Sequence, residues 1–293
     1  MLAGATTNDG SDWSAGPRPL TADIDVFGVT HQGHRRKTNA DHFFIGSFHR
    51  TLRVHATSLS SEAVGSPVSE SRGFIALVAD GVGSAQASVD GSEHALSVVT
   101  RHLLHASEIC STLALSDRDA AIAELKAAVA LAHEALKENA RREGLPTTAT
   151  TLTMYAAFWP LGFVVHVGDS RMYRLSGATF ERLTNDQTMA QMMVEAGAMT
   201  PSEAEGSHLK HVLWSAVGSN EAVPEVVVFG LDARDRVLLC SDGLTKHVSD
   251  DEIKDYLSRS MSSEEMCRAL LNLALERGGT DNVTVLSGRV RGL

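Results

Sequence analysis

The segment Phe74-Ile75-Ala76-Leu77-Val78-Ala79-Asp80-Gly81-Val82-Gly83-Ser84 decides the fold. Six apolar residues run directly into an aspartate, and an unbroken apolar run that closes on a turn is typical of a buried strand. An ionised carboxylate at the end of such a strand is costly unless it is paired or binds a metal. Gly81 and Gly83 leave the neighbouring backbone open to close approach. Taken alone, the segment is explained more simply as a strand that ends in an Asp-Gly turn.

The same arrangement of apolar strand, aspartate and glycine occurs three more times. The segments are 163–169, which ends in Asp169, 237–243, which contains Asp242, and 278–286, which contains Asp281. One shared site explains four such segments better than four unrelated turns do. The sequence therefore predicts a carboxylate cluster at the ends of several strands.

Composition limits the classes of protein to consider. The chain has 293 residues, enough for one large domain or two small ones, and a formal net charge of −10. The negative charge argues against a nucleic-acid partner, which needs a basic patch. Cys110, Cys240 and Cys267 form no C-x-x-C pair, which indicates free thiols in a reducing compartment. No apolar run approaches the ~20 residues that span a bilayer, and the N-terminus lacks the pattern of a signal peptide. We expect a cytoplasmic protein without a membrane partner.

Hydrophobic periodicity predicts an α+β protein. We expect a flexible tail over residues 1–20 and one domain over 21–293. Helices are predicted at 85–106, 117–142, 249–258 and 262–277, with 110–115 ambiguous and 58–72 a loop. Predicted strands lie near 23–30, 43–48, 52–57, 74–79, 147–159, 163–167, 172–175, 226–229, 236–240 and 282–290, with a turn at 160–162. Tight turns between short strands favour antiparallel sheets with helices outside.

Residues 185–220 interrupt this series of strands. Four methionines, Gly197, Pro201 and several glutamates predict short helices that form an insertion. A small cap with its methionines packed inward and a recognition surface are both consistent with this composition.

The candidate cluster consists of hard oxygen ligands, which suit Mg²⁺ or Mn²⁺. Asp80, Asp242, Asp281 and the early Asp41 carry four negative charges, which two divalent ions would balance. Without metal, the carboxylates would repel one another, so we expect the metal-free protein to become more stable when Asp281 is replaced by asparagine.

Two arginines, Arg35 and Arg36, precede Asp41 by six and five residues. An arginine fork beside two metal ions can hold a phosphoryl group through two hydrogen bonds. Taken alone, a basic run of this kind is more often a solvated loop.

Together these motifs resemble the metal-dependent Ser/Thr protein phosphatases of type 2C, and most closely the compact bacterial branch. The motifs are Arg36…Asn39-Ala40-Asp41, Asp80-Gly81-Val82-Gly83, Gly168-Asp169-Ser170-Arg171, Ser241-Asp242-Gly243 and Gly279-Thr280-Asp281-Asn282. The resemblance covers about residues 26–290. It implies an α-β-β-α sandwich of two antiparallel sheets flanked by helices, with the metal ions in a cleft at one edge and a flap over residues 185–220.

The resemblance also implies a set of metal ligands. Asp80 would bridge two Mn²⁺ or Mg²⁺ ions, and the carbonyl group of Gly81 would help to bind one of them. Asp242 and Asp281 would hold the first ion, and Asp41 would serve the second, directly or through water.

Two further roles follow from the same resemblance. Asp169 would bind a third, weaker ion. Arg36 would bind the substrate phosphate, with Arg35 as the alternative. Departures from the family pattern at Ala40, Val82, Ser84 and Gln187 remove no principal metal ligand.

The expected function is hydrolysis of phosphoserine and phosphothreonine in proteins by direct attack of a metal-bridging hydroxide. The substrates would be proteins phosphorylated by a Ser/Thr kinase, and we expect a monomer. The alternative is a catalytically weak family member that acts as a phosphoprotein-binding regulatory module. The complete aspartate set favours the enzyme. A further alternative, closer in chemistry to the expected function, is a phosphatase that acts on small phosphoesters.

Overall fold

The computed structural model describes residues 18–50, 70–83, 85–144 and 148–291. Positions 1–17 of the predicted tail, the predicted strand 52–57 and the predicted loop up to residue 69 lie outside this part of the chain.

The described residues form strands and helices with the following bounds. The strands are β1 (Ile24–His31), β2 (Asp41–Arg50), β3 (Glu70–Val82), β4 (Ala149–Thr150), β5 (Leu152–Phe158), β6 (Leu161–Val167), β7 (Arg171–Ser176), β8 (Thr179–Arg182), β9 (Glu225–Gly230), β10 (Arg236–Cys240) and β11 (Val283–Val290). The α-helices are α1 (Ala85–Ser116), α2 (Arg118–Glu143), α3 (Met189–Glu195), α4 (Pro201–Gly206), α5 (Asp242–Thr245), α6 (Asp250–Ser258) and α7 (Ser263–Glu276), and two short 3₁₀-helices span Thr21–Asp23 and His208–His211.

The strands form two antiparallel sheets. One sheet has five strands in the order β1-β11-β10-β7-β8, and the other has the order β2-β3-β5-β6-β9, with β4 paired to β3. Neighbours in sequence are often neighbours in the sheet, as β5 and β6 are, because tight turns favour this pairing. The predicted α+β class with antiparallel sheets is confirmed.

Strand β3 contains an unbroken apolar run because an apolar core lies against each of its two faces. Ala76 and Val78 face the other sheet in a core that also contains Met172 and Leu239. Leu77, on the opposite face of β3, packs against α1 and α2. Because successive side chains of a strand point to opposite faces, a strand buried on both sides is apolar throughout.

Helices cover the outer face of each sheet. Helices α1 and α2 lie on the sheet that contains β3, and α6 and α7 lie on the sheet that contains β10 and β11. The layer order is therefore α-β-β-α, as the resemblance implied. None of the helices in the described part of the chain is long and apolar enough to cross a membrane.

The differences from the predicted elements have local causes. Strand β3 begins at Glu70 rather than near 74, because its polar start pairs through the backbone with the end of β2. The ambiguous segment 110–115 is part of α1, and β6 begins at Leu161, within the predicted turn. Strand β8 was not predicted because its residues are polar and mostly exposed, and α5 is too short to show helical periodicity.

The insertion consists of short helices, as predicted. It contains α3, α4 and the 3₁₀-helix His208–His211. None of its four methionines is fully buried, and Met192 is 40% exposed. The hypothesis that the methionines pack inward is therefore wrong for Met192.

Candidate active site

Asp41 and Asp80 lie opposite each other on adjacent strands. They are register partners of β2 and β3, at the end of the sheet where β2 begins. The backbone of Asp80 is fixed by the threonine-rich segment before β5. Its amide donates to Thr151 Oγ1 at 3.0 Å, and its carbonyl oxygen accepts from the Thr151 amide and from Thr150 Oγ1, both at 2.9 Å.

Asp242 and Asp281 come from the other sheet. Asp242 begins α5 just after β10, and Asp281 lies just before β11, the strand that pairs with β10. Two glycines allow the close backbone approach that this site needs. A Cβ atom at Gly243 would lie 1.8 Å from the carbonyl oxygen of Asn282, and one at Gly81 would lie 2.1 Å from that of Ser88.

Asp41 connects the two sheets at the site. Its Oδ2 accepts hydrogen bonds from Ser241 Oγ at 2.6 Å and from Thr284 Oγ1 at 2.8 Å. Its Oδ1 is buried and has no hydrogen-bond partner among the described residues. Burial raises the pKa of Asp41 to about 6, the two hydroxyl bonds oppose this rise, and the charges of Asp242 and Asp281 add to it.

Asp80 and Asp169 are perturbed in the same direction. Burial is the main cause that raises the pKa of each carboxyl well above its usual range. The charge of Asp41 is the next cause for Asp80, and the charge of Asp242 is the next cause for Asp169. These two carboxylates therefore lie close enough to other acids to be destabilised in their charged form.

Asp281 differs from the other acids because two cations hold it. Arg36 donates from Nε to Oδ1 at 2.5 Å and from Nη2 to Oδ2 at 2.8 Å, and Lys246 Nζ lies 2.6 Å from Oδ2. Burial raises the pKa of Asp281, but the bonds from Arg36 and Lys246 outweigh it and lower the pKa to about 2. This pairing contradicts our expectation of net repulsion at Asp281, so Asp281→Asn is now expected to destabilise the metal-free protein.

The two candidate phosphate-binding arginines differ in their contacts. The Arg36 side chain is 56% exposed and is held by its two bonds to Asp281. Arg35 is exposed and has no hydrogen bond or ion pair with the part of the chain that the structure describes. Only Arg36 is therefore directed toward the carboxylates.

Sequence reasoning did not identify Lys246 or the partners of Arg171. Lys246 Nζ lies 2.5 Å from Asp242 Oδ2, and the four-residue spacing of this pair on a helix was the available signal. Arg171 binds Asp186 at the start of the insertion at 2.6 Å and Asp250 at the start of α6 at 3.1 Å. These partners lie 15 and 79 residues away in the chain, so local sequence gives no sign of them.

The carboxylates open into a cleft of about 1070 Å³ between the insertion, α6 and the sheet edge. Asp169, Asp242 and Asp281 line it, and so do Lys210 and His211 of the insertion. In the described ranges, no three His, Cys, Asp or Glu side chains are positioned to hold one ion together. The buried Oδ1 atoms of Asp41 and Asp242 nevertheless lack partners among these residues, and such hard oxygen donors fit a divalent cation.

Comparisons with known proteins place this chain in a family. The sequence model of the protein phosphatase 2C family matches residues 56–277. The chain belongs to this family. It is 37% identical to the serine/threonine protein phosphatase PstP of Mycobacterium tuberculosis over 169 residues, which are 56% of this chain and 32% of PstP. It is 31% identical to the serine/threonine phosphatase Stp of Listeria welshimeri over 219 residues, which are 72% of this chain and 82% of Stp.

Solved structures agree with this assignment. A crystal structure of Mycobacterium tuberculosis PstP has a TM-score of 0.70 and 28% identity, and the match covers 92% of this chain and 99% of that one. The catalytic domain of PstP in complex with two manganese ions has a TM-score of 0.67 and 29% identity, and the match covers 91% and 98%. The chain thus spans about a third of the length of full PstP and nearly all of its solved catalytic domain.

Proposed function

We propose that this chain is a metal-dependent protein phosphatase that hydrolyses phosphoserine and phosphothreonine. The observation that carries the proposal is the cluster of acids at one edge of the sandwich, where Asp41, Asp80 and Asp169 all have raised pKa values. Such values indicate groups that are positioned for chemistry or for cations rather than for stability. The names of the relatives and the two manganese ions of the PstP catalytic domain support the same function.

The proposed ligands are those implied by the sequence. Asp80 would contact two Mn²⁺ or Mg²⁺ ions, and the Gly81 carbonyl group would help to bind one of them. Asp242 and Asp281 would hold the first ion, and Asp41 would serve the second, directly or through water. Asp169 is proposed for a third, weaker ion. When bound, the divalent ions supply an activated water as nucleophile and neutralise charge on the phosphoryl group.

The remaining contacts prepare these side chains for that role. Ser241 and Thr284 both donate to Asp41 Oδ2, so they fix the carboxylate and leave Oδ1 free. Thr150 and Thr151 hold the backbone of Asp80 at the end of β3. Asp41 and the backbone of Asp80 are therefore held through uncharged hydroxyl groups, which add no competing cation at these two acids.

Arg36 is the proposed phosphate-binding residue, and its replacement is a direct test. Arg36→Ala should raise the KM for a phosphopeptide and the inhibition constant for inorganic phosphate by about tenfold, because a charge-assisted pair of hydrogen bonds is lost. Steady-state kinetics with phosphate as inhibitor measures both quantities. Arg35→Ala is the matched control, with a smaller expected change. Equal, small effects of both substitutions would show that neither arginine binds phosphate and that the two belong to a solvated loop.

The proposed substrates are proteins phosphorylated by a Ser/Thr kinase. We propose that residues 185–220 form a flap of a single domain over residues 21–293, since Lys210 and His211 line the same cleft as the acids. We further propose that the protein acts as a monomer in the cytoplasm, where the buried thiols of Cys240 and Cys267 stay reduced.

Hydrolysis assays test this function. The protein should release phosphate from phosphoserine and phosphothreonine peptides in Mn²⁺ and lose this activity in chelator. A panel of small phosphoesters separates a protein phosphatase from a metabolite phosphatase. Tight binding of phosphopeptides with no turnover in any divalent ion would favour the phosphoprotein-binding regulatory module instead.

A further inference from the structure

Lys246 lies directly on two of the proposed metal ligands. Its ammonium group is 2.5 Å from Asp242 Oδ2 and 2.6 Å from Asp281 Oδ2. The backbone continues the turn of α5 at this point, because the amide of Lys246 donates to the carbonyl oxygen of Asp242 at 2.9 Å. This turn holds the lysine four residues after Asp242 and on the same side of the helix.

The charge of Lys246 is well matched to its surroundings. Its side chain is 23% exposed, so it is partly withdrawn from water. Burial lowers its pKa, but the carboxylates of Asp242 and Asp281 outweigh this effect and hold the pKa above its usual range. One ammonium group therefore offsets part of the repulsion between two acids that converge from different strands.

A divalent ion and this ammonium group would compete for the same two carboxylates. Asp281 Oδ2 accepts from Lys246 and Arg36, and Asp281 Oδ1 accepts from Arg36 and from the amide of Asn282. Both oxygens of Asp281 are thus already used by N–H donors, whereas Asp242 keeps one unpartnered oxygen, Oδ1. A cation that binds both carboxylates has to displace an N–H donor from Asp281, and Lys246 is, among the described residues, the one donor that also contacts Asp242.

We propose that Lys246 is a built-in counter-ion that occupies the ligands of the first metal ion and thereby sets the affinity for that ion. This inference rests on the proposed function, because it requires that Asp242 and Asp281 bind metal. Lys246 acts on the ion only through these two ligands, so it is a positioning residue. It stabilises the metal-free protein and weakens the uptake of metal.

The test compares metal affinity and metal-free stability in the same variants. Lys246→Met and Lys246→Gln remove the charge at similar side-chain length, and Lys254→Met on the exposed side of α6 is the matched control. If the ammonium group occupies the ligands about nine-tenths of the time, either Lys246 variant should bind Mn²⁺ about tenfold more tightly by calorimetry. Both variants should also melt at a lower temperature than wild type in chelator. Lys254→Met should change neither quantity.

The possible failures are distinguishable. Saturable Mn²⁺ binding by wild type with unchanged or weaker binding by both Lys246 variants would overturn this inference alone, because a merely structural lysine gives that result. Wild-type protein that takes up no Mn²⁺ would overturn the proposed function and this inference with it.

Discussion

Asp80→Asn is expected to lower the kcat for phosphopeptide hydrolysis by at least ~10³, because the proposed bridging ligand is lost and the nucleophilic water is no longer activated. In chelator the same variant should melt at a higher temperature than wild type. Burial and the nearby charge of Asp41 raise the pKa of Asp80 well above its usual range, so the charged side chain destabilises the metal-free fold. An amide removes this cost, as expected where function and stability conflict.

The matched control for this variant is Asp119→Asn, on the exposed first turn of α2. It should leave kcat unchanged and shift the melting temperature only slightly, through the helix dipole. Turnover near the wild-type value in Asp80→Asn, or a lower melting temperature in chelator, would remove the basis for a metal site at the end of β3.

The second large effect is the pH dependence of stability in the metal-free protein. Asp41 has a pKa of about 6 in the folded state against an ordinary value of 3.8, so folding disfavours its charged form. The cost is fully present above pH 6, is of the order of 3 kcal/mol, and is relieved as the pH falls from 6 toward 3.8. Asp41→Asn should therefore be more stable than wild type at pH 8 in chelator, and the difference should shrink toward pH 4.

The test uses the difference in unfolding free energy between Asp41→Asn and wild type, because other groups titrate in the same pH range. His166 is buried between Thr153 and the carbonyl oxygen of Asn185, and burial lowers its pKa to about 4. It therefore costs stability as the pH falls from 6.5 toward 4, the opposite sign to Asp41. The unfolding free energies of both proteins can be measured in urea from pH 8 to pH 4. The contribution of His166 is common to both and cancels when they are subtracted. A stability difference that stays constant with pH would show that the Asp41 carboxyl titrates normally.

The sequence predicted the strand ends of this fold well. The apolar runs that end at Asp80 and Asp242 and the run that follows Asp281 all correspond to strands, because a doubly buried strand leaves a clear apolar signal. The layer order and the roles of the acids came from the resemblance to a family, since pairing of distant strands is not encoded in local periodicity.

The charge state of the site could not be read from the sequence. Counting acids predicted repulsion throughout, yet Asp281 is held by Arg36 and Lys246 and has a low pKa. Arg36 lies 245 residues away in the chain, and the pairing of β1 with β11, in which His31 lies opposite Val283, brings it to Asp281. The pairing of Arg171 with Asp186 and Asp250 is hidden for the same reason.

The location of Mn²⁺ in crystals tests the central claim most directly. Anomalous scattering from crystals grown with MnCl₂ should give two strong peaks at the carboxylate cluster, with the Asp80 side chain in contact with both and Lys246 moved away from Asp242, Asp281 or both. A map with no manganese at Asp80, and with Lys246 still bound to Asp242 and Asp281, would contradict the proposed metal centre.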